Sequence, residues 1–86
     1  MIHVTGVEYR GGHVLRLRFS DGATGDVDLQ RHLEGPVLAP LRDRAQFATA
    51  YVDEELGTVV WPGGADVAPE FLYAAAQAGR AVAEGD

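Results

Sequence analysis

Two carboxylates four residues apart, Asp66 and Glu70, form the pair in this 86-residue sequence whose spacing best suits acid–base or metal chemistry. His3, His13 and His32 are the imidazoles that could join them. None of the three has a ligand-like spacing or a His-Glu-x-x-His signature, so a metal site would require two of them to converge on Asp66 in space. The plainer reading of the carboxylates is structural. An Asp in a glycine-rich turn just before a helix accepts backbone N–H bonds, and a Glu in a first helical turn suits the helix dipole. Ser20 is the sole serine, and Ser20-Asp21-Gly22 reads as a hairpin turn rather than a nucleophile elbow. Gly63-Gly64 lacks the Lys and following Ser or Thr of a phosphate loop, which leaves turn geometry as its reading. The chain has no cysteine, which excludes disulfides, thiolate zinc sites and cysteine nucleophiles. No catalytic residue, metal or cofactor is expected.

Composition narrows the classes further. Formal net charge is −6, and all seven basic residues are arginines, scattered at positions 10, 16, 18, 31, 42, 44 and 80. Binding to phosphate backbones depends on clustered positive charge, so direct nucleic-acid binding is disfavoured. The N-terminus Met1-Ile2-His3-Val4-Thr5 has no basic segment followed by an apolar one. No apolar run approaches the roughly 20 residues that span a bilayer, so a cytoplasmic protein without membrane contact is the expectation. A single domain over residues 1–86 would bury only roughly 60–65% of its unfolded surface. Its large anchors are expected to be Phe19, Phe47, Tyr51, Trp61, Phe71, Leu72 and Tyr73. Pairing with a second copy, through a free edge of the first or third strand, or with another protein is a reasonable consequence of so small a core.

The elements that must position these residues begin with strands. In Val14–Phe19 the odd positions Leu15, Leu17 and Phe19 are apolar, while Arg16 and Arg18 point the other way. A three-residue loop at 20–22 pairs residues whose numbers sum to 42, placing Leu15 opposite Val27 and Arg16 opposite Asp26 in a third strand over 23–29. Arg16 and Arg18 then share the outer face with Asp26 and Asp28. Upstream, 2–10 reads as a first strand joined to the second by Gly11-Gly12, and its change of parity beside Gly6 predicts a β-bulge. Between 30 and 44, Gly35, Pro36 and Pro40 break any long helix, leaving short helical turns over the sheet, with Asp43 capping the turn that leads to Phe47. A second hairpin pairs 49–53 with 58–61 around Glu54-Glu55-Leu56-Gly57. Trp61-Pro62-Gly63-Gly64 must then leave the sheet, and a helix begins with Pro69 at its first position. Phe71, Ala75, Ala78 and Val82 make its apolar stripe, with Leu72, Ala76 and Gly79 beside it. Phe71 and Leu72 are expected to anchor that helix, and Gly85 to terminate it. Trp61 is expected where the fifth strand meets the helix, its indole N–H bonded if buried; core packing is the plainer reading of Trp61 and Tyr73, and an aromatic contact surface formed by the two is the alternative. The fold class is α+β: a three-stranded antiparallel meander, a short helical segment, a second β-hairpin and a C-terminal helix.

Trp61-Pro62-Gly63-Gly64-Ala65-Asp66, followed by Pro69-Glu70 and Leu72-Tyr73, resembles the small bacterial proteins of the domain-of-unknown-function family DUF2442. Phe19-Ser20-Asp21-Gly22, Leu41-Arg42-Asp43 and Phe47 extend the resemblance from about Val4 to Tyr73. Members more often carry Asn where this chain has Gly63, so no role of that amide carries over. The resemblance implies the same β-rich α+β fold. Some members of the family carry an appended helix-turn-helix domain, for which this chain is expected to have no room. Others are encoded beside a second small protein in a toxin–antitoxin-like arrangement. That habit, with acidic Asp53-Glu54-Glu55 at a hairpin tip, makes a non-catalytic protein-interaction domain the leading expectation. It would be the antitoxin-like member of a pair with a small, basic partner. A ligand-sensing or transcription-associated regulatory domain is the alternative, and a small metal-dependent enzyme built on Asp66, Glu70 and a histidine is a further one. Trp61, Gly64, Asp66, Glu70 and Tyr73 are the candidate structural or interaction residues.

Overall fold

The computed structural model describes the backbone of residues 1–85 and the side chains of residues 1–78. Three antiparallel strands, β1 (Val4–Tyr9), β2 (Val14–Phe19) and β3 (Thr24–Asp28), form a meander in that order. Strand β2 alternates as expected, with Leu15, Leu17 and Phe19 buried and Arg16 and Arg18 exposed. The register follows from the odd-length loop: Leu15 pairs with Val27 and Arg16 with Asp26. Arg16 Nε donates to Asp26 Oδ1 at 2.9 Å. That hydrogen bond, then the carboxylate's charge, raises the guanidinium pKa above its ordinary value. Both groups lie in solvent, so the pair fixes little beyond local geometry. In β1 the register slips between Val4 and Gly6, the bulge expected from the parity change, and this restores Val7 and Tyr9 to the face of Leu17 and Leu15.

The connector is a series of short turns. A 3-10 turn at Gln30–His32 is followed by α1 (Gly35–Leu38), a second 3-10 turn at Ala39–Arg42, and α2 (Arg44–Phe47). Pro36 and Pro40 occupy starting positions, where a missing N–H costs nothing. Asp43 caps α2 by accepting from the Ala45 N–H at 2.9 Å. The connector is closed on itself by Arg42 Nε, which donates to the Leu33 carbonyl at 2.7 Å, and tied to the meander by His13 Nε2–H, which donates to the Arg42 carbonyl at 2.8 Å.

Strands β4 (Tyr51–Asp53) and β5 (Thr58–Val60) form a two-stranded hairpin that meets the outer edge of β1, where the Val4 N–H donates to the Gly57 carbonyl. That bond occupies the edge of β1 at Val4. Beyond β5 the chain leaves the strand at Trp61–Gly64, as its proline and glycines led one to expect, and turns straight back: Trp61 N–H donates to the Ala65 carbonyl, Gly64 N–H to the Trp61 carbonyl, and Val60 bridges Asp66. Pro62 sits inside the three-residue loop, where no ladder donor is needed. The same pattern closes the β2–β3 loop, with Phe19 N–H to Ala23 and Gly22 N–H to Phe19. Gly22 and Gly64 take the left-handed conformation at φ +90° and +97°.

Helix α3 (Pro69–Gly85) lies across β3. Its buried face differs from the expected stripe. Leu72 and Ala76 are buried, while Ala78 is exposed and Phe71 retains 42% exposure, its ring stacked on His32 at 4.3 Å. Gly25 explains the rotation: a Cβ there would come within 3.0 Å of the Ala76 Cβ, so the helix descends onto β3 through this pair of small residues. Phe71 is carried to the side. The Val82 and Gly79 side of the expected stripe lies outside the described side chains. Among the described residues, no helix is long and apolar enough to cross a membrane.

Candidate functional site

The residues singled out in the sequence separate into two structural groups. Trp61 is 2% exposed, and its indole N–H donates to the Phe47 carbonyl at 2.9 Å. Its ring lies 5.7 Å from that of Phe47. The expected donor partner therefore exists, but on α2 of the connector rather than at the terminal helix. Tyr73 meets other partners: its hydroxyl donates to Asp21 Oδ2 at 2.6 Å, and its ring stands edge-on to Phe19 at 5.0 Å. Asp21 also accepts from the Ala23 N–H, so Tyr73 ties α3 to the β2–β3 loop. Trp61 and Tyr73 do not make one aromatic surface.

Asp66 corrects the capping expectation. Its backbone pairs with Val60, which points its carboxylate to solvent, and among the described residues that carboxylate has no hydrogen-bond partner. The segment before α3 is held instead by the Thr58 hydroxyl, which donates to the Val67 carbonyl. Glu70 stands exposed in the first turn of α3, as its sequence position implied. The histidines lie on different elements: His3 beside Gly57, His13 against Phe47, and His32 on Phe71. Among the described residues no three of His, Asp and Glu are grouped to hold a metal ion.

Two surfaces carry features that sequence reasoning did not foresee: exposed apolar side chains on the hairpin whose acidic tip it did place, and a groove. The first is the β4–β5 hairpin. Tyr51, expected in the core, is 47% exposed, and Leu56 at the tip is 57% exposed. Strand alternation accounts for Tyr51, because its neighbour Val52 packs against the core and adjacent side chains face opposite sides. The tip is rigidly built. Asp53 Oδ1 accepts from the Glu55 and Leu56 N–H groups at 2.9 and 3.1 Å, and Gly57 N–H returns to the Asp53 carbonyl at 2.7 Å. Asp53 thus spends its carboxylate on the loop, and the carboxylates presented outward are Glu54 and Glu55.

The second surface is a groove of about 600 Å³ between the connector and the Trp61–Ala65 turn. Pro36, Val37, Pro40 and Leu41 form one wall, and Trp61 and Pro62 the other. Its only sequence trace is the placing of Pro and Gly in both walls.

These features define a small α+β domain with a polar, self-satisfied framework, an exposed apolar hairpin and an apolar groove. The chain belongs to the family described as Protein of unknown function (DUF2442), whose profile matches residues 4–78. A solved structure, "Crystal Structure of Putative DNA Binding Protein NE0471 from Nitrosomonas europaea ATCC 19718", is similar at 33% sequence identity and a TM-score of 0.78. The match covers 92% of this chain and 52% of that one, so this chain spans about half the length of that protein. No curated protein matches the chain.

Proposed function

We propose that the chain is a non-catalytic protein-interaction domain that docks a small, basic partner protein through its β4–β5 hairpin, as the antitoxin-like member of a two-protein pair. The observation that carries this reading is the exposure of Leu56 and Tyr51 on a hairpin whose own backbone bonds hold Glu54 and Glu55 outward. Large apolar side chains at an interface centre supply most of its affinity, and the net charge of −6 steers a basic partner into encounter. The test is co-expression with the product of the adjoining gene, followed by affinity capture of the wild type and of Leu56→Asp with Tyr51→Ala. A complex formed by the wild type and lost in the double variant supports the reading. Absence of a complex, together with no rescue of growth, defeats it.

A second reading is favoured by the likeness to NE0471: the domain is the regulatory, ligand-sensing part of a DNA-associated system, reaching DNA only through another domain or protein. Two of the three arginines of the meander support the indirect route, because Arg16 is held by Asp26 and Arg10 lies 3.5 Å from Glu8. Direct DNA affinity with a steep salt dependence in the isolated chain would contradict both readings. Self-association is expected to be weak, since Asp26 and Asp28 line the free strand β3 and charged edges resist pairing. Size measurement in solution tests that point.

A further inference from the structure

We propose that the groove between α1–α2 and the Trp61–Ala65 turn is a binding site for an uncharged, mainly apolar small molecule carrying one hydrogen-bonding group. Its volume of about 600 Å³ falls within the roughly 300–1,000 Å³ typical of small-molecule sites. The charge of the walls selects the ligand. Among the described residues no Asp, Glu, Arg or His lines the groove, so an ion entering it would give up hydration and meet no counter-charge. Gln46 and Thr49 are the polar side chains of the lining. The Thr49 hydroxyl donates to the Gln46 carbonyl and keeps its lone pairs, while the Gln46 amide has no partner among the described residues. They can receive a single polar group.

Size argues against a protein occupant, because the groove offers far less surface than the roughly 800 Å² per partner that a stable interface covers. The walls are also formed in advance. Asp43 caps α2, the Trp61 indole is bonded to Phe47, and the Gly64 turn fixes the opposite rim, so little ordering opposes binding. The site is separate from the β4–β5 hairpin, and each has its own variants.

The experiment is titration of the purified full chain with N-phenyl-1-naphthylamine, an uncharged fluorescent probe. Its anionic relative 8-anilino-1-naphthalenesulfonate serves as the comparison, at about 0.5 M salt to screen the chain's own charge. The expected result is saturable emission from one probe per chain, with quenching of Trp61, the sole tryptophan. The anion should bind about tenfold more weakly or worse. Ala45→Phe, at an exposed helical position in the lining, should fill the groove and weaken binding by about tenfold or more. Val37→Asp, at a rim position 63% exposed and therefore safe for folding, should do the same, while Leu56→Asp should leave binding unchanged. The proposal is overturned by absence of saturable binding up to the probe's solubility, by equal binding of the anion, or by indifference to Val37→Asp.

Discussion

Gly63→Ala and Gly64→Ala alter two neighbours in one loop, and at each a new Cβ would meet open space. They differ in backbone alone, since Gly64 sits at φ +97° and Gly63 does not take a positive φ. A non-glycine residue in the left-handed region costs about 1–2 kcal/mol. Both substitutions also restrict the unfolded chain, which by itself stabilises by about 0.4–1 kcal/mol. Gly63→Ala should therefore gain about that much, and Gly64→Ala should be neutral to about 1.5 kcal/mol less stable. The unfolded-state contribution cancels in the difference between the two variants, leaving about 1–2 kcal/mol for the backbone conformation. In a domain of this size 1 kcal/mol moves the melting temperature by about 4–8 °C, so the variants should melt about 4–16 °C apart. Thermal unfolding followed by circular dichroism, checked against urea midpoints, measures the gap. Because the β2–β3 loop repeats the geometry at Gly22, with φ +90°, Gly22→Ala should behave like Gly64→Ala. Equal melting of Gly63→Ala and Gly64→Ala would refute the assignment of a glycine-closed three-residue loop, and with it the rim that holds Trp61 over the groove.

Three further substitutions probe other parts of the framework. Asp66→Ala should change stability by no more than about 0.5 kcal/mol, since its carboxylate is exposed and has no hydrogen-bond partner among the described residues, and a larger loss in urea unfolding would restore it as a backbone acceptor. Ala76→Leu should cost about 1–3 kcal/mol by forcing a side chain between α3 and Gly25, and an unchanged urea midpoint would mean the helix can ride higher on β3. Trp61→Phe removes a buried hydrogen bond and leaves a small void, for a combined loss of about 2–3 kcal/mol by the same assay. A loss under about 1 kcal/mol would show that α2 closes over the gap.

What could be read in advance follows from how local each cause is. Side-chain alternation in β2, the odd-length loop at 20–22, the bulge beside Gly6 and the cap at Asp43 depend on residues a few positions apart, and the structure places each as expected. The errors arise where distant contacts decide. Phe71 fits an apolar helical stripe, but which stripe faces inward is set by Gly25 on another element. Pro62 and the two glycines marked the break, whereas the return pairing of Asp66 with Val60 depends on three-dimensional closure that no spacing records. That same pairing removed Asp66 from its expected capping role. The groove belongs to two segments about 20 residues apart, and exposed Tyr51 and Leu56 carry the same letters as core residues, so neither surface could be distinguished from packing in the sequence alone.

The measurement that tests the central claim most directly is the dissociation constant of the purified complex with the partner protein, compared between Leu56→Asp and Asp66→Asn. If the hairpin carries the interaction, Leu56→Asp weakens binding by about tenfold or more, as expected for a truncated or charged hot spot, while Asp66→Asn leaves it within about twofold. The reverse pattern, with affinity lost on neutralising Asp66 and retained in Leu56→Asp, would contradict the account and move the function to the Asp66 carboxylate before α3.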